Sequence, residues 1–252
     1  MKTYVTNTKK YLSIFVIFSL LLCASLSAFI ILGKRTAGLP DGNKPDSESI
    51  TATERIKTVV VIDAGHGGED GGTVGINGAL EKELNLSVAL KLDAALQKLG
   101  VTTRLTRSED VLLYDKNSDH KGQKKVQDLA ARRKIAEEYK DAIFVSIHMN
   151  SFPEEKYKGL QVYFSENNEQ SLIIAQGIQT TAAEALQPEN TRQCKSGTNI
   201  YLLEHLSCPA VLIECGFLSN KEECLRLSDE DYQTELAAVI AAAIFEHLSS
   251  QK

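Results

Sequence analysis

Apolar residues recur along the chain in two alternating patterns. Short apolar runs rich in β-branched residues predict strands at 58–63, 101–106, 142–148, 159–164 and 209–215. Apolar positions spaced three or four residues apart predict helices at 81–99, 126–139, 169–186 and 229–248. Alternation of strand and helix is typical of an α/β fold, so we predict a single domain with a mainly parallel, twisted sheet and helices on both faces.

The N-terminal residues have a different composition. Residues 11–33 carry no charged side chain and are long enough to cross a bilayer, which predicts a transmembrane anchor or a signal segment. Three lysines precede this segment and two basic residues follow it, so the positive-inside rule makes residues 1–10 a cytoplasmic tail. The polar stretch 34–57 is predicted to be a flexible linker, and 58–249 a globular domain outside the cytoplasm.

Charge and cysteine content exclude two classes of function. A net charge of -5 and a pI near 5.6 leave no basic excess with which to bind nucleic acid. The chain has five cysteines, and no pair has the CxxC spacing of a structural zinc site. We therefore interpret the cysteines as scattered, mostly buried free thiols.

Three predicted strands end in residues that can bind metal or transfer protons. His66 follows the first strand within a glycine-rich loop, and His148 and Glu214 lie at the ends of two later strands. If the strands are parallel, these ends lie along one edge of the sheet, where ligands of α/β proteins bind. Two imidazoles and a carboxylate are the protein ligands of many catalytic zinc sites, and hydrolysis needs a further carboxylate to transfer protons.

The sequence offers three more carboxylates near the first histidine. Glu69 lies three residues after His66, Glu81 begins the predicted helix, and Glu83 follows two positions later. Position alone does not choose among them.

Four segments together carry a family resemblance, at 61–68, 80–86, 146–150 and 214–220. In order and spacing they resemble the zinc-dependent N-acetylmuramoyl-L-alanine amidases of bacterial cell walls. The resemblance spans 58–249 and implies that this range is a catalytic domain. It also implies one Zn²⁺ held by His66, Glu81 and His148, with Glu214 as the catalytic carboxylate.

The chain also resembles one subgroup of that family, the sporulation amidases that act with a deacetylase to form muramic-δ-lactam in spore cortex. The N-terminal apolar segment, the lack of wall-binding repeats and the segment 199–202 support this. The resemblance implies peptidoglycan glycan and stem peptide as substrate, a deacetylase and an activating lipoprotein as partners, and a role in sporulation and germination. It also implies membrane attachment through the N-terminal segment.

Some interpretations stay open at this point. Asn150 and Arg107 are candidate substrate contacts, although Asn150 could instead cap the turn after its strand and Arg107 could be a surface charge. A zinc metallopeptidase or other amidohydrolase could use the same ligands. A non-catalytic, membrane-tethered wall-binding protein is a further alternative, although no ligand and no catalytic carboxylate is missing.

Overall fold

A computed structural model describes residues 57–115, 117 and 122–251. The predicted cytoplasmic tail, the apolar segment 11–33 and the linker up to residue 56 lie outside the described residues. Among the helices that are described, none has both the length and the apolar character needed to span a bilayer.

The described chain contains a six-stranded sheet and helices that connect its strands. The strands are β1 (Val59–Ala64), β2 (Thr102–Leu105), β3 (Ala142–Asn150), β4 (Gln161–Phe164), β5 (Lys195–Ser196) and β6 (Ala210–Phe217). The helices are α1 (Glu81–Lys98), α2 (Lys124–Glu137), α3 (Glu169–Leu186), α4 (Tyr201–His205), α5 (Lys221–Leu227) and α6 (Glu230–Ser250).

The sheet has the strand order β2-β1-β3-β6-β4-β5. Strands β2, β1, β3 and β6 are mutually parallel, and β4 pairs with β6 in the antiparallel direction. The prediction of an α/β domain with a mainly parallel sheet is therefore confirmed. The predictions omitted β5, α4 and α5, because two to seven residues are too few to show a periodic pattern.

Helices cover both faces of the sheet, as predicted. Helices α1, α3 and α6 pack on one face, over apolar side chains such as Ile62, Ile147 and Ile213. Helices α2 and α4 pack on the other face, over a smaller cluster that includes Phe144 and Leu212. The central strands β1, β3 and β6 are almost wholly buried, which explains their continuous apolar sequences.

On the α2 and α4 face, the side chains become polar toward the carboxyl ends of the central strands. In β3 the residues on this face run from Phe144 through Ser146 to His148, and in β6 Glu214 follows Leu212. Parallel pairing brings these carboxyl ends to one edge, so the polar groups predicted from separate parts of the sequence gather there.

Candidate active site

The first histidine lies in a loop with an unusual backbone. His66 has a φ of 62°, in the left-handed region that residues with a Cβ seldom adopt. Two buried arginines bind the carbonyls that surround it. Arg107 donates to the carbonyls of Ala64 and Gly65, and Arg132 donates to the carbonyls of Ala64 and His66 at 2.7 and 2.6 Å. These bonds hold the loop in its strained conformation.

Glu81 is the first residue of α1, and its carboxylate is fixed by backbone amides. Its Oε2 accepts a hydrogen bond from the amide of Thr73 at 2.8 Å, and its Oε1 accepts one from the amide of Met149 at 3.2 Å. Oε1 also lies 3.1 Å from Nε2 of His66 and 3.1 Å from Nδ1 of His148. The side chain is 3% exposed overall, so it is held between the two imidazoles.

The three groups form a cluster with the chemistry of a zinc site. Ligand atoms of His66, Glu81 and His148 all lie within 4.8 Å of one another. The two rings are 5.0 Å apart and nearly perpendicular, and both histidines are partly exposed. Two imidazole nitrogens and a carboxylate, open to solvent on one side, fit the donor set and the free position of a catalytic zinc ion.

Among the carboxylates that the sequence left open, only Glu81 joins this cluster within the described residues. Glu69 is exposed and accepts hydrogen bonds from Lys124, while Glu83 points to solvent on α1. Asp70, which sequence reasoning missed, has its Oδ2 2.9 Å from Nδ1 of His66. The two groups are close enough to form an ion pair, although Nδ1 of His66 makes no hydrogen bond of good geometry among the described residues.

The electrostatics of the cluster favour ionised groups. Burial alone would raise the pKa of Glu81, but hydrogen bonds and charges from the two histidines hold it well below its usual range. Burial alone would lower the pKa of His66, but Glu81 and Asp70 outweigh that effect and raise it. A divalent cation at this cluster would therefore take the place of the proton that Glu81 and Asp70 favour on His66.

Glu214 lies directly across from His148 in the pairing of β6 with β3. Its Oε2 is buried and has no hydrogen-bond partner in the part of the chain that is described. Burial raises the pKa of Glu214 to about 7, with the Glu81 charge adding to the rise and the charges of His148 and His66 opposing it. A carboxyl group with a pKa near neutrality can both accept and return a proton, which is the requirement for general acid–base catalysis.

The arrangement of the site agrees with sequence comparison. The profile of a family described as N-acetylmuramoyl-L-alanine amidase matches residues 60–246, most of the chain. The chain belongs to this amidase family. It is therefore an enzyme of the cell wall, and its substrate is peptidoglycan.

One relative and two solved structures illustrate the similarity. The germination-specific N-acetylmuramoyl-L-alanine amidase of Bacillus subtilis is 32% identical over 193 residues, which cover 77% of this chain and 81% of that protein. The structure of the CwlD amidase from Clostridioides difficile in complex with the GerS lipoprotein is 37% identical, with a TM-score of 0.72, and the match covers 76% of this chain and 98% of that one. The amidase AmiC2 of Nostoc punctiforme is 31% identical with a TM-score of 0.67, and the match covers 77% and 98%.

The other two predicted site residues of the amidase are engaged by the protein itself. Arg107 is 3% exposed, so its interpretation as a surface charge is wrong. Its guanidinium is occupied by backbone carbonyls, including that of Lys82, which indicates a structural role. Asn150 is partly exposed and its side-chain oxygen accepts a hydrogen bond from the amide of Ser151, as expected of a residue that caps the turn after β3.

A buried ionic network lies beneath the metal loop, the segment 64–66 whose carbonyls bind the two arginines. This network was not predicted from the sequence. Arg132 pairs with Asp63 at 2.7 Å and with Asp128 at 2.8 Å, and Asp63 also accepts hydrogen bonds from Ser146 and Thr106. Burial alone would raise the pKa of Asp63, but the Arg132 charge and these hydrogen bonds lower it. The spacing of Asp128 and Arg132 by four residues on one helix was the available signal, but such pairs are usually exposed.

The glycine before His66 gives a testable prediction for the amidase. A Cβ at Gly65 would lie 2.2 Å from the His148 imidazole, so we expect Gly65→Ala to displace this ring and to weaken metal binding by at least ~10-fold. Zinc titration of the purified variant measures this effect. Gly71→Ala is the matched control, because a Cβ there meets no atom within 4 Å. Equal zinc affinity in the two variants would contradict the prediction.

Proposed function

We propose that this amidase is zinc-dependent and cleaves the amide between the lactyl group of N-acetylmuramic acid and L-alanine of the stem peptide. We also propose that it acts on spore cortex, in the formation of muramic-δ-lactam. One observation carries the catalytic part of the proposal: three potential zinc ligands converge beside Glu214, whose buried Oε2 has no hydrogen-bond partner among the described residues.

In this proposal His66, Glu81 and His148 hold the zinc ion. When bound, the ion supplies a Lewis acid that polarises a carbonyl group and lowers the pKa of water. The hydrogen bonds from Thr73 and Met149 keep the Glu81 carboxylate in place, and the Asp70 carboxylate lies 2.9 Å from Nδ1 of His66. The site is therefore organised before substrate arrives, which lowers the cost of reaching the transition state.

Glu214 performs the proton transfers. Its carboxylate accepts a proton from the attacking water and then donates that proton to the alanine nitrogen as the C–N bond breaks. Its position opposite His148 on the adjacent strand puts it beside the proposed metal ligands without being one of them. The products are a muramoyl carboxylate and a stem peptide with a free N-terminal alanine.

The biological setting rests on the named relatives. Similarity to a germination-specific amidase supports a role in spore cortex. The related amidase that was solved in complex with a lipoprotein supports an activating lipoprotein as a partner, and formation of the lactam requires a deacetylase as well. We further propose that the segment 11–33 anchors the enzyme in the membrane, with the catalytic domain 58–249 outside the cytoplasm.

Metal removal tests the zinc dependence. We expect treatment with a chelator, followed by its removal, to abolish peptide release from peptidoglycan, because the bound ion is the Lewis acid in this proposal. Addition of one equivalent of Zn²⁺ per chain should restore the rate. Full activity of protein that contains no zinc by elemental analysis would contradict the proposal.

Product identity tests the reaction and the substrate. Purified cortex-type and vegetative peptidoglycan are incubated with the full-length chain, with and without a candidate lipoprotein partner, and the soluble products are identified by mass spectrometry. Release of intact stem peptides with N-terminal alanine supports amidase activity. Cleavage within the peptide would favour a metallopeptidase, and binding without release under every condition would favour a wall-binding protein.

A further inference from the structure

A row of side chains crosses the sheet from the proposed metal ligands toward β4. His148 on β3 is opposite Glu214 on β6, and Glu214 is opposite Gln161 on β4. Residues opposite each other in a sheet project their side chains from the same face, and neighbouring strands lie ~4.8 Å apart. Gln161 therefore lies one strand beyond Glu214, on the side away from His148.

Arg192 extends this row by one more group. Its Nη1 donates to Oε1 of Gln161 at 3.0 Å, and its Nε donates to the carbonyl of Lys158 at 2.7 Å. The guanidinium also stacks over the ring of Phe217, the last residue of β6, at 4.6 Å. Gln161 is itself 2% exposed and donates to the carbonyl of Gln193, so the guanidinium is held in one orientation.

The charge of Arg192 is only partly compensated within the described chain, by the buried Glu223 carboxyl group. No carboxylate of the described residues forms an ion pair with it, and its Nη2 has no hydrogen-bond partner among them. The buried Glu223 accepts hydrogen bonds from the amides of Gly159 and Phe217. Arg192 is partly exposed, so one edge of a fixed guanidinium is available to a ligand. Carboxylates are the groups that such an edge binds best.

The proposed chemistry predicts on which side of Glu214 the stem peptide lies. Glu214 protonates the alanine nitrogen, so the stem peptide must begin beside Glu214 and continue away from the metal ligands. That direction leads past Gln161 to Arg192 and to a cavity of about 530 Å³. The charged residues that line it are Lys156, Lys158, Glu189, Arg192, Glu222, Glu223 and Arg226. A peptide bearing a carboxylate close to its N-terminal alanine supplies the charge that the free edge of the Arg192 guanidinium binds.

We propose that Arg192 binds a carboxylate of the stem peptide on the leaving side of the scissile amide, and so selects acidic over amidated peptides. This inference rests on the proposed function, because it needs Glu214 to mark the side of the leaving nitrogen. Arg192 then acts as a specificity-determining residue, and Gln161 and Phe217 position it.

The test compares two peptidoglycans that differ in one group. Both carry the same stem peptide, with the carboxyl group of the second residue free in one and amidated in the other. We expect wild-type enzyme to have a kcat/KM about 10- to 100-fold higher on the acidic form, the range for a hydrogen bond to a charged group. Arg192→Gln should lose this preference by slowing on the acidic form alone, and Arg192→Lys should retain part of it.

A second arginine of the same cavity provides the matched control. Arg226 also stacks on an aromatic ring, that of Tyr232 at 4.3 Å, but its nearest backbone acceptor is Leu186 on α3. We expect Arg226→Gln to keep the preference for the acidic peptide. Thermal unfolding of each variant shows whether a loss of activity reflects a loss of fold.

The outcomes separate this inference from the proposed function. Equal rates of wild-type enzyme on both peptidoglycans would overturn the role of Arg192, and this result needs no variant. Equal losses on both substrates in Arg192→Gln would also overturn it, since a merely structural residue behaves in that way. Failure of wild-type enzyme to release any peptide with N-terminal alanine would overturn the proposed function, and the role of Arg192 with it.

Discussion

Replacement of Glu214 by glutamine is expected to reduce kcat by about 10²- to 10⁴-fold, the usual contribution of a general acid–base group. The amide has nearly the same shape as the carboxylate but cannot accept and return a proton. Since Glu214 is not one of the three clustered ligands, the variant should bind zinc with wild-type stoichiometry. Rates of peptide release and elemental analysis of the same preparation measure the two effects together.

The surroundings of the Glu214 carboxylate predict that the same variant stays folded. Its Oε2 has no hydrogen-bond partner within the described residues, so loss of the negative charge breaks no ion pair there. We therefore expect Glu214→Gln to be at least as stable as the wild-type enzyme. Glu83→Gln is the matched control, because Glu83 is exposed on α1 and should leave activity unchanged. A fully active Glu214→Gln variant would remove this residue from the mechanism.

The second large effect is expected at Arg132. Replacement of Arg132 by methionine keeps much of the side-chain volume but leaves Asp63 and Asp128 buried without their cation. Breaking a buried ion pair in this way costs ~3–5 kcal/mol of the free energy of unfolding. The carbonyl of His66 also loses its donor, so zinc binding should weaken in the fraction that folds. Denaturant unfolding and zinc titration measure these losses.

The pH dependence identifies the cause of the loss at Arg132. In the wild-type enzyme the pKa of Asp63 is lowered, so its contribution to stability is present above the unfolded-state pKa and is lost as the pH falls through the folded-state value. Without the arginine, burial raises the pKa of Asp63. The difference in stability between the two proteins should therefore be large at neutral pH. It should shrink as the pH falls from the raised pKa of Asp63 in the variant to the lowered pKa of Asp63 in the wild-type enzyme.

The neighbouring arginine serves as the control for this variant. Arg133 is partly exposed on the same helix and pairs with Glu137 one turn later. We expect Arg133→Met to leave the unfolding midpoint almost unchanged. A similar destabilisation at both positions, or one at Arg132 that does not depend on pH, would contradict the network as the cause.

The sequence predicted the parts of the site that lie at the ends of long apolar strands. His66 follows such a run, and His148 and Glu214 lie near the ends of two others. The parallel topology that brings them together follows from the alternation of strands and helices. The placement of Glu81 depended on the family resemblance, because nothing in its spacing distinguishes it from Glu69 or Glu83.

The groups that support the site were much harder to foresee. Arg107 and Arg132 resemble ordinary surface arginines in sequence, and only the folded chain shows that both bind carbonyls of the metal loop. Arg192 lies in an irregular segment with no periodic pattern, and its link to Gln161 depends on antiparallel pairing of β4. Such contacts between distant segments are set by tertiary packing, which local patterns do not encode.

The pairing of β3 with β6 has a consequence for how the enzyme is assembled. Side chains alternate between faces along a strand, so a shift of β6 by one residue would turn Glu214 into the apolar layer beneath α3 and α6. The irregularity in this ladder falls after His148, where it no longer disturbs the partner of Glu214. An active molecule must therefore have the correct pairing of β3 with β6. The ratio of turnover to bound zinc then measures the fraction of a preparation in which these strands are correctly paired.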